Sequence, residues 1–280
     1  MTPGWRHWDG EDDVLRALIV TTAGINCDQE LAEAFQLVGA EPSFVHLKKL
    51  LAKPKLVEQF ELIGLPGGFS YGDAVAAGRI AAQLMRRELY PAFVQAVERG
   101  VPIIAPCNGF QIAVQMGLLP GPEIGASWPA LAPPPVVALS DNESARFIDK
   151  WVEVTVPDQT RCIWTSGLSA DSDVQVLPIA HGEGRFMASS ERVLESLERT
   201  GQIAIRYAAH DNPNGSSDNI AGICDASGLV LGLMPHPERY TVWENHPTWT
   251  RLPEATRLKQ PFGIQMFHKA AEHARSAAVL

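Results

Sequence analysis

Cysteine is scarce in this sequence, and its spacing fits neither a disulfide framework nor a zinc site. Only four cysteines occur among the 280 residues, no two of them form a CxxC pair, and no histidine stands at metal-ligand spacing from them. We therefore predict that the chain holds no metal. Because the sequence has few cysteines and no signal peptide, we expect the protein to work in the reducing cytoplasm.

The sequence also lacks a surplus of positive charge and a long apolar run. Its formal net charge is −9, and its lysines and arginines form no basic stripe of the kind that binds nucleic acid. No segment approaches the roughly 20 consecutive apolar residues that span a bilayer. Hydrophobic residues nevertheless make up 46% of the chain, which is enough for a substantial core. These features predict a protein that binds neither nucleic acid nor membranes.

The first part of the chain contains a regular alternation of strand-like and helix-like segments. Apolar, β-rich runs at 16–22, 62–66 and 101–105 alternate with helical patterns, among them 74–85 and 91–99. This alternation predicts an α/β fold with a mostly parallel central sheet and helices on both faces.

The second part of the chain has a different texture. Residues 120–136 contain six prolines and predict an irregular excursion, and residues 241–259 form a second excursion of uncertain structure. A hairpin-like pattern over 220–234 and other strand-like runs predict a smaller antiparallel portion. Because no linker separates these parts, we predict a single domain over 1–280, with 1–13 as a flexible N-terminal extension.

Two short strings at strand ends carry the residues of an activated nucleophile. APCNGFQ at 105–111 places Cys107 at the start of a helical pattern, where the helix dipole lowers the pKa of a thiol. MPHPER at 234–239 places prolines on both sides of His236, and these stiffen the segment so that Glu238 can orient the imidazole. Thiol, base and orienting acid together predict an enzyme that forms an acyl-thioester, although either ring nitrogen fits either partner.

These residues also have simpler interpretations when each is taken alone. A single cysteine such as Cys107 is more typical of an inert core position, and a histidine beside a carboxylate is more typical of a surface pair. The remaining cysteines, Cys27, Cys162 and Cys224, are predicted to lie in the core.

Two further strings have glycines at strand ends. PGGFSYGD at 66–73 is not a phosphate loop, because no Gly-Lys-Ser/Thr follows it. We interpret it as one wall of an oxyanion hole formed by the N–H groups of Gly68 and Asn108, although glycines that merely turn a corner fit the same pattern. HGEGR at 181–185 is compact, polar and flexible, and it fits either a ligand-contacting loop or a solvent loop.

The order of these strings resembles the class I, or triad, glutamine amidotransferases, and within that class the glutaminase subunits of phosphoribosylformylglycinamidine synthase. Further matching strings are NCD at 26–28, GLLPG at 117–121, NES at 142–144 and NPNGS at 212–216. The resemblance covers most of residues 16–240 and the last helix. The chain departs from the family at Ala105, where glycine is usual, at Pro106 beside the thiol, and in the two excursions.

The resemblance implies a glutaminase with a defined set of site residues. Cys107 would attack the side-chain amide of L-glutamine, and His236, oriented by Glu238, would protonate the departing ammonia. The N–H groups of Gly68 and Asn108 would hold the oxyanion. The residues implied to contact glutamine are Gly67, Gln111, His181, Gly182 and Glu183.

The resemblance also implies partners. The ammonia would pass to a synthetase subunit that uses ATP and Mg to convert formylglycinamide ribonucleotide to formylglycinamidine ribonucleotide in de novo purine biosynthesis. A small bridging subunit would join the assembly. The chain has no ATP motif, so we expect no cofactor in it.

Two alternative functions remain open from the sequence. One is a stand-alone cysteine hydrolase or redox-sensing protein of similar α/β fold, and the other is a non-catalytic binding subunit. The intact His-Pro-Glu string argues against the first, and the presence of all three catalytic residues argues against the second.

Overall fold

The computed structural model of the chain describes residues 14–168 and 174–278, so the predicted N-terminal extension over 1–13 lies outside the described residues. The strands are β1 (Leu15–Thr21), β2 (Ala40–His46), β3 (Leu62–Gly64), β4 (Ile103–Pro106), β5 (Val137–Asp141), β6 (Ile148–Thr155), β7 (Val176–His181), β8 (Glu183–Ala188), β9 (Ile203–Tyr207), β10 (Ile220–Cys224) and β11 (Val230–Leu233). The α-helices are α1 (Asp28–Leu37), α2 (Leu47–Ala52), α3 (Arg79–Glu88), α4 (Tyr90–Glu98), α5 (Asn108–Gln115), α6 (Glu191–Arg199), α7 (Glu254–Arg257) and α8 (Phe262–Ala278).

Nine of the described strands form one sheet in the order β2-β1-β3-β4-β11-β10-β9-β6-β7. The strands from β2 to β11 in this order are parallel to one another. The strands from β10 to β7 are antiparallel to their neighbours, and β5 and β8 form a separate antiparallel pair. The predicted α/β class, with a parallel sheet and an antiparallel portion, is confirmed.

Helices cover both faces of the sheet. On one face α3, α4 and α5 bury Met85, Phe93 and Phe110, and on the other α1 and α8 bury Phe35 and Phe267, whose rings meet edge to face with centroids 5.4 Å apart. The strands between these layers are buried on both sides, which explains their continuous apolar sequences. None of the helices in the described part of the chain has the length and apolar character that crossing a bilayer requires.

The proline-rich excursion is anchored to the helical layer. Residues 120–136 form no helix or strand, as predicted. The guanidinium of Arg86, on α3, donates hydrogen bonds to the carbonyl oxygens of Ala132 at 2.6 Å and Pro133 at 2.8 Å. Trp128 packs edge to face against Tyr90 with ring centroids 6.4 Å apart. The excursion therefore has fixed contacts although it lacks regular structure.

The second excursion, residues 241–259, consists of short helical turns around an aromatic cluster. The buried Tyr240 ring lies 5.3 Å from Trp151 and 6.0 Å from Trp243, measured between centroids. The indole of Trp243 donates to the carbonyl oxygen of Lys259 at 2.8 Å, and this bond closes the segment on itself.

Helix α3 begins at Arg79, five residues later than the helical pattern of 74–85 predicts. Residues between the Gly-Gly turn and α3 instead form a tight loop in which Tyr71 and Asp73 have positive φ angles. The Asp73 carboxylate accepts from the Gly78 N–H at 3.4 Å, and the Glu183 carboxylate accepts from the Ala77 N–H at 3.3 Å. These tertiary bonds satisfy backbone donors that a longer helix would have used, so they override the local helical preference.

Candidate active site

The loops that follow β1, β3, β4 and β11 meet at the carboxyl edge of the parallel strands. Because these four strands are neighbours in the sheet, this edge brings together residues that are far apart in the sequence. Ligands of open α/β sheets bind at this edge, outside the carboxyl ends of the strands. Among the predicted site residues, Gly67, Gly68, Cys107 and His236 are carried by these loops.

Cys107 occupies a sharp elbow between β4 and α5. Its backbone has φ 51° and ψ −110°, a conformation that L-residues rarely adopt, and its N–H donates to the Leu233 carbonyl oxygen on β11 at 2.7 Å. The turn depends on Gly109, because a Cβ there would lie 1.9 Å from the carbonyl oxygen of Leu65. The elbow therefore holds the sulfur at the N-terminus of α5.

His236 and Glu238 form a buried pair directly after β11. The Nδ1 atom of His236 lies 2.6 Å from the Oε1 atom of Glu238, and the two residues are 1% and 3% exposed. The backbone N–H of His236 donates to the Pro178 carbonyl oxygen on β7 at 2.9 Å. This bond fixes the main chain that carries the imidazole. The ring-nitrogen assignment that the sequence left open is thus settled by geometry: Nδ1 faces Glu238, and Nε2 is the nitrogen left for other partners.

The electrostatics of His236 favour its protonated form. Burial acts to lower the pKa of the imidazole, but the charges of Glu238 and Cys107 outweigh burial and raise that pKa well above its usual value. The Nε2 atom is buried and makes no hydrogen bond within the described residues, although the sulfurs of Cys107 and Cys27 both interact with the ring. A protonated, oriented imidazole beside a thiol is the arrangement that a thiolate nucleophile requires.

The predicted oxyanion wall lies against this pair. A Cβ at Gly67 would lie 2.8 Å from the Cε1 atom of His236 and 3.4 Å from the Cβ of Cys107. Gly68 has φ 133°, and a Cβ there would lie 2.7 Å from the backbone nitrogen of Asn26. Both positions therefore require glycine for close approach. Asn108, the first residue of α5, presents a backbone N–H that has no intrahelical acceptor.

Side chains of α5 connect the predicted oxyanion wall at 66–73 to the start of β8 through hydrogen bonds. The Asn108 side chain accepts from the Ser70 N–H at 3.4 Å and donates to Gln111 Oε1 at 3.0 Å. The Gln111 Nε2 atom donates in turn to the Glu183 carbonyl oxygen at 2.5 Å. Burial raises the pKa of Asp73, which accepts from the Asn108 side chain at 3.5 Å. The side-chain amide of Gln111, which the sequence predicts to contact glutamine, is therefore hydrogen-bonded within the protein.

The segment from His181 to Arg185 is structured rather than flexible, so that part of its predicted character is wrong. His181 ends β7 and Glu183 begins β8, with Gly182 between them. The Asn142 side chain accepts from the His181 ring at 3.0 Å and from the Gly184 N–H at 3.2 Å, and it donates to the His181 carbonyl oxygen. These bonds hold both strand ends in place.

His181, the last residue of β7, is a neutral histidine. Burial, together with the charge of His236, lowers the pKa of His181 to about 4. Its Nε2 atom is buried without a hydrogen-bond partner within the described residues. The carbonyl oxygen of Ala180 lies 3.7 Å from the Cys107 sulfur. The predicted contacts His181, Gly182 and Glu183 therefore follow directly after a residue that lies close to Cys107.

Cys27 was predicted as a core residue, and the structure places it in the site. It is buried, as expected, but its Sγ atom lies within 4.8 Å of a ring nitrogen of His236 and of a carboxylate oxygen of Glu238. The Arg239 guanidinium donates to Cys27 Sγ at 3.0 Å and to Glu30 Oε1 at 3.2 Å. The sequence offered one signal for this placement: Cys27 follows a β-run and precedes a helix, as Cys107 does.

The comparisons with known proteins agree with this site. Residues 14–274 match the family model of the CobB/CobQ-like glutamine amidotransferase domain. The chain is 37% identical over 267 residues to phosphoribosylformylglycinamidine synthase subunit PurQ of Dehalococcoides mccartyi, covering 93% of this chain and 98% of that relative. It is 40% identical over 251 residues to the PurQ subunit of Treponema denticola, covering 81% and 88%.

A solved structure gives the same result. The structure of PurLQS from Thermotoga maritima contains a chain that matches with a TM-score of 0.66 and 33% identity, over 92% of this chain and 98% of that one. Sequence and fold therefore point to one group of proteins. The chain belongs to the family of phosphoribosylformylglycinamidine synthase PurQ subunits, within the glutamine amidotransferases.

Proposed function

We propose that this chain is the glutaminase subunit of a phosphoribosylformylglycinamidine synthase and that it hydrolyses L-glutamine through a thioester on Cys107. The observation that carries the proposal is the Cys107 elbow beside the buried pair of His236 and Glu238, 2.6 Å apart, at one edge of the sheet. Membership of the PurQ family supports the same reaction. A stand-alone hydrolase or a non-catalytic subunit is not favoured by either observation.

The first half of the reaction forms the thioester. The Cys107 sulfur attacks the side-chain carbonyl carbon of glutamine, and its proton resides on Nε2 of His236. The carbonyl oxygen becomes an oxyanion that accepts from the N–H groups of Gly68 and Asn108, the latter at the positive end of α5. The raised pKa of His236 keeps its proton in place until the amide nitrogen leaves and takes it as ammonia.

The second half returns the enzyme to its starting state. With its proton gone, Nε2 of His236 accepts a proton from water, and the resulting hydroxide attacks the thioester carbonyl carbon. The carbon–sulfur bond breaks, and glutamate leaves while its carboxyl proton passes to solvent. The Cys107 thiolate is then restored beside the protonated Nε2 of His236. Throughout both halves Glu238 stays bonded to Nδ1, so that the imidazole keeps one orientation.

The glutamine substrate needs contacts for its α-amino and α-carboxylate groups. We assign these contacts to the backbone of Gly67, which is buried beside Cys107, and to the partly exposed residues Gly182 and Glu183. Gln111 and His181 are buried and bonded to Glu183 and Asn142, respectively. Their proposed role is to hold these residues at the correct distance from Cys107.

The released ammonia must be used by a second subunit. Likeness to a chain of the PurLQS structure supports assembly with a synthetase subunit, and we propose that this subunit uses ATP and Mg to convert formylglycinamide ribonucleotide to formylglycinamidine ribonucleotide. A small bridging subunit completes the proposed assembly. We place the complex in the cytoplasm, where the four free cysteines of this chain remain reduced.

The test is ammonia release from L-glutamine by the purified chain, alone and with its synthetase partner. Cys107→Ala should lower glutamine hydrolysis by more than about a hundredfold, while the assembled synthetase still works with added ammonium salt. Cys224→Ala, a core cysteine in β10, is the matched control and should keep glutaminase activity. Substantial hydrolysis by Cys107→Ala would exclude the thioester route, and failure with ammonium salt would exclude the ammonia-supplying role.

A further inference from the structure

The backbone of residues 23–27, which we call the strap, runs alongside the Gly-Gly turn that follows β3. Ile25 and Gly68 form an antiparallel bridge between the two segments. The Phe69 N–H donates to the Gly24 carbonyl oxygen at 2.8 Å. The hydrolytic mechanism uses the turn but gives no task to the strap, although the strap holds the turn through backbone hydrogen bonds.

A bond from the strap sets the direction of the Gly68 N–H. The Cys27 N–H donates to the Gly67 carbonyl oxygen at 3.3 Å. The C=O of Gly67 and the N–H of Gly68 belong to one trans peptide, in which these two groups point in opposite directions. Because the C=O points to the strap, the Gly68 N–H points away from it. This N–H is the one that the proposed reaction uses to bind the oxyanion.

The close approach of the strap and the turn depends on Gly24. Its backbone has φ 88°, and a Cβ there would lie 2.0 Å from the carbonyl oxygen of Phe69. Carbon and oxygen atoms in ordinary contact are about 3.3 Å apart, so a side chain at Gly24 would displace one segment from the other by about 1.3 Å. The Tyr71 N–H, which donates to the Ala23 carbonyl oxygen at 2.7 Å, ties the turn to the strap on the other side of this contact.

We propose that the strap positions the oxyanion donor of Gly68 and that Gly24 is a positioning residue for thioester formation. This inference rests on the proposed glutaminase function and deepens it at the same site. Gly24 acts through Gly68, whose N–H binds the oxyanion only while the attacked carbonyl carbon is tetrahedral. A displaced N–H therefore lowers kcat for glutamine much more than it raises KM.

The direct test is Gly24→Ala in the full chain with its synthetase partner. We expect kcat for glutamine to fall by about a hundredfold, as for loss of one oxyanion donor, while KM changes by less than about threefold. Thermal unfolding shows whether the variant is folded. The split between kcat and KM separates a displaced donor from a general loss of glutamine binding.

Two small reagents separate positioning of the oxyanion donor from general damage to the site. p-Nitrophenyl acetate acylates Cys107 through an oxyanion and releases p-nitrophenolate, whereas iodoacetamide alkylates the sulfur by displacing iodide and forms no oxyanion. Cys107→Ala gives the background for both reagents. In Gly24→Ala, acylation should slow by at least about tenfold, while alkylation stays within about twofold of the unmodified chain.

Matched variants control for strain and for failure to fold. Gly100 has φ 84° and no atom within 4 Å of the position of a Cβ, so Gly100→Ala should keep acylation and alkylation within about twofold. If Gly24→Ala does not fold, Cys27→Pro and Cys27→Ser carry the test. Both lack the thiol, but only proline lacks the N–H that bonds to Gly67, so acylation should be about tenfold slower in the proline variant.

The outcomes distinguish this inference from the proposed function. Equal acylation rates in folded Gly24→Ala and the unmodified chain, or in Cys27→Pro and Cys27→Ser, would overturn the role of the strap. An equal loss of acylation and alkylation would also overturn it, because the damage would then be general. Acylation by the ester needs no glutamine. If the unmodified complex failed to hydrolyse glutamine, the proposed function would fall, and the ester rates would still decide the inference.

Discussion

Gly67→Ala should impair catalysis without unfolding the protein. The new methyl carbon would stand 2.8 Å from the Cε1 atom of His236, whereas carbon atoms in ordinary contact are about 3.5 Å apart. The imidazole must therefore shift by about 0.7 Å away from Gly67, which changes its position relative to Cys107. The backbone of Gly67 does not lie in the left-handed region, so alanine adds no conformational strain of its own.

The expected loss follows from that displacement. A misplacement of about 1 Å costs roughly a hundredfold in rate, so we expect kcat/KM for glutamine to fall about 30- to 100-fold, equivalent to about 2–3 kcal/mol of transition-state stabilisation. Steady-state ammonia release measures this loss, and thermal unfolding should show a midpoint near that of the unmodified chain.

Gly100→Ala is the control that separates stability from catalysis. Gly100 has φ 84°, follows α4 far from the site, and has no atom within 4 Å of the position of a Cβ. Alanine there should lower the free energy of unfolding by about 1–2 kcal/mol through backbone strain alone and leave kcat/KM within about twofold. If Gly67→Ala keeps more than half of the original kcat/KM, then the missing side chain at Gly67 does not set the approach of His236.

Two further predictions concern the acid–base pair and the elbow. Glu238→Gln removes a charge that raises the pKa of His236, so the imidazolium should lose its proton at lower pH. The basic limb of the kcat/KM profile should then move to lower pH, and an unmoved limb would mean that Glu238 does not control this proton. Gly109→Ala would place a methyl group 1.9 Å from the Leu65 carbonyl oxygen, so the free energy of unfolding should fall by about 4 kcal/mol or more. Urea denaturation measures that change, and an unaltered midpoint would show that the elbow relaxes.

The sequence was sufficient to predict the general architecture and the grouping of three candidate residues at one edge of the sheet. Cys107, His236 and Glu238 each follow an apolar run that becomes a central strand, so their positions depend on local pattern and on the alignment of parallel strand ends. The hairpin of β10 and β11 likewise follows from adjacent apolar runs separated by a turn.

Features that depend on tertiary contacts were not predictable in the same way. The late start of α3 requires the Glu183 carboxylate, which is distant in sequence, to accept from the Ala77 N–H. The structured His181 segment requires Asn142 to bond both strand ends. Cys27 was predicted as core, because nothing local indicates that Arg239 reaches its sulfur.

The backbone of Cys107 sets a limit on how stable this chain can be. At φ 51° and ψ −110°, any residue with a Cβ pays a conformational cost, of about 1–3 kcal/mol for such outliers, that glycine would avoid. Selection for stability alone would therefore favour glycine here, and the proposed role of Cys107 in glutamine hydrolysis makes this position an example of a trade-off between stability and activity. An evolutionary lineage that lost the need for glutamine hydrolysis would be expected to lose Cys107 early, while the rest of the sheet edge persisted.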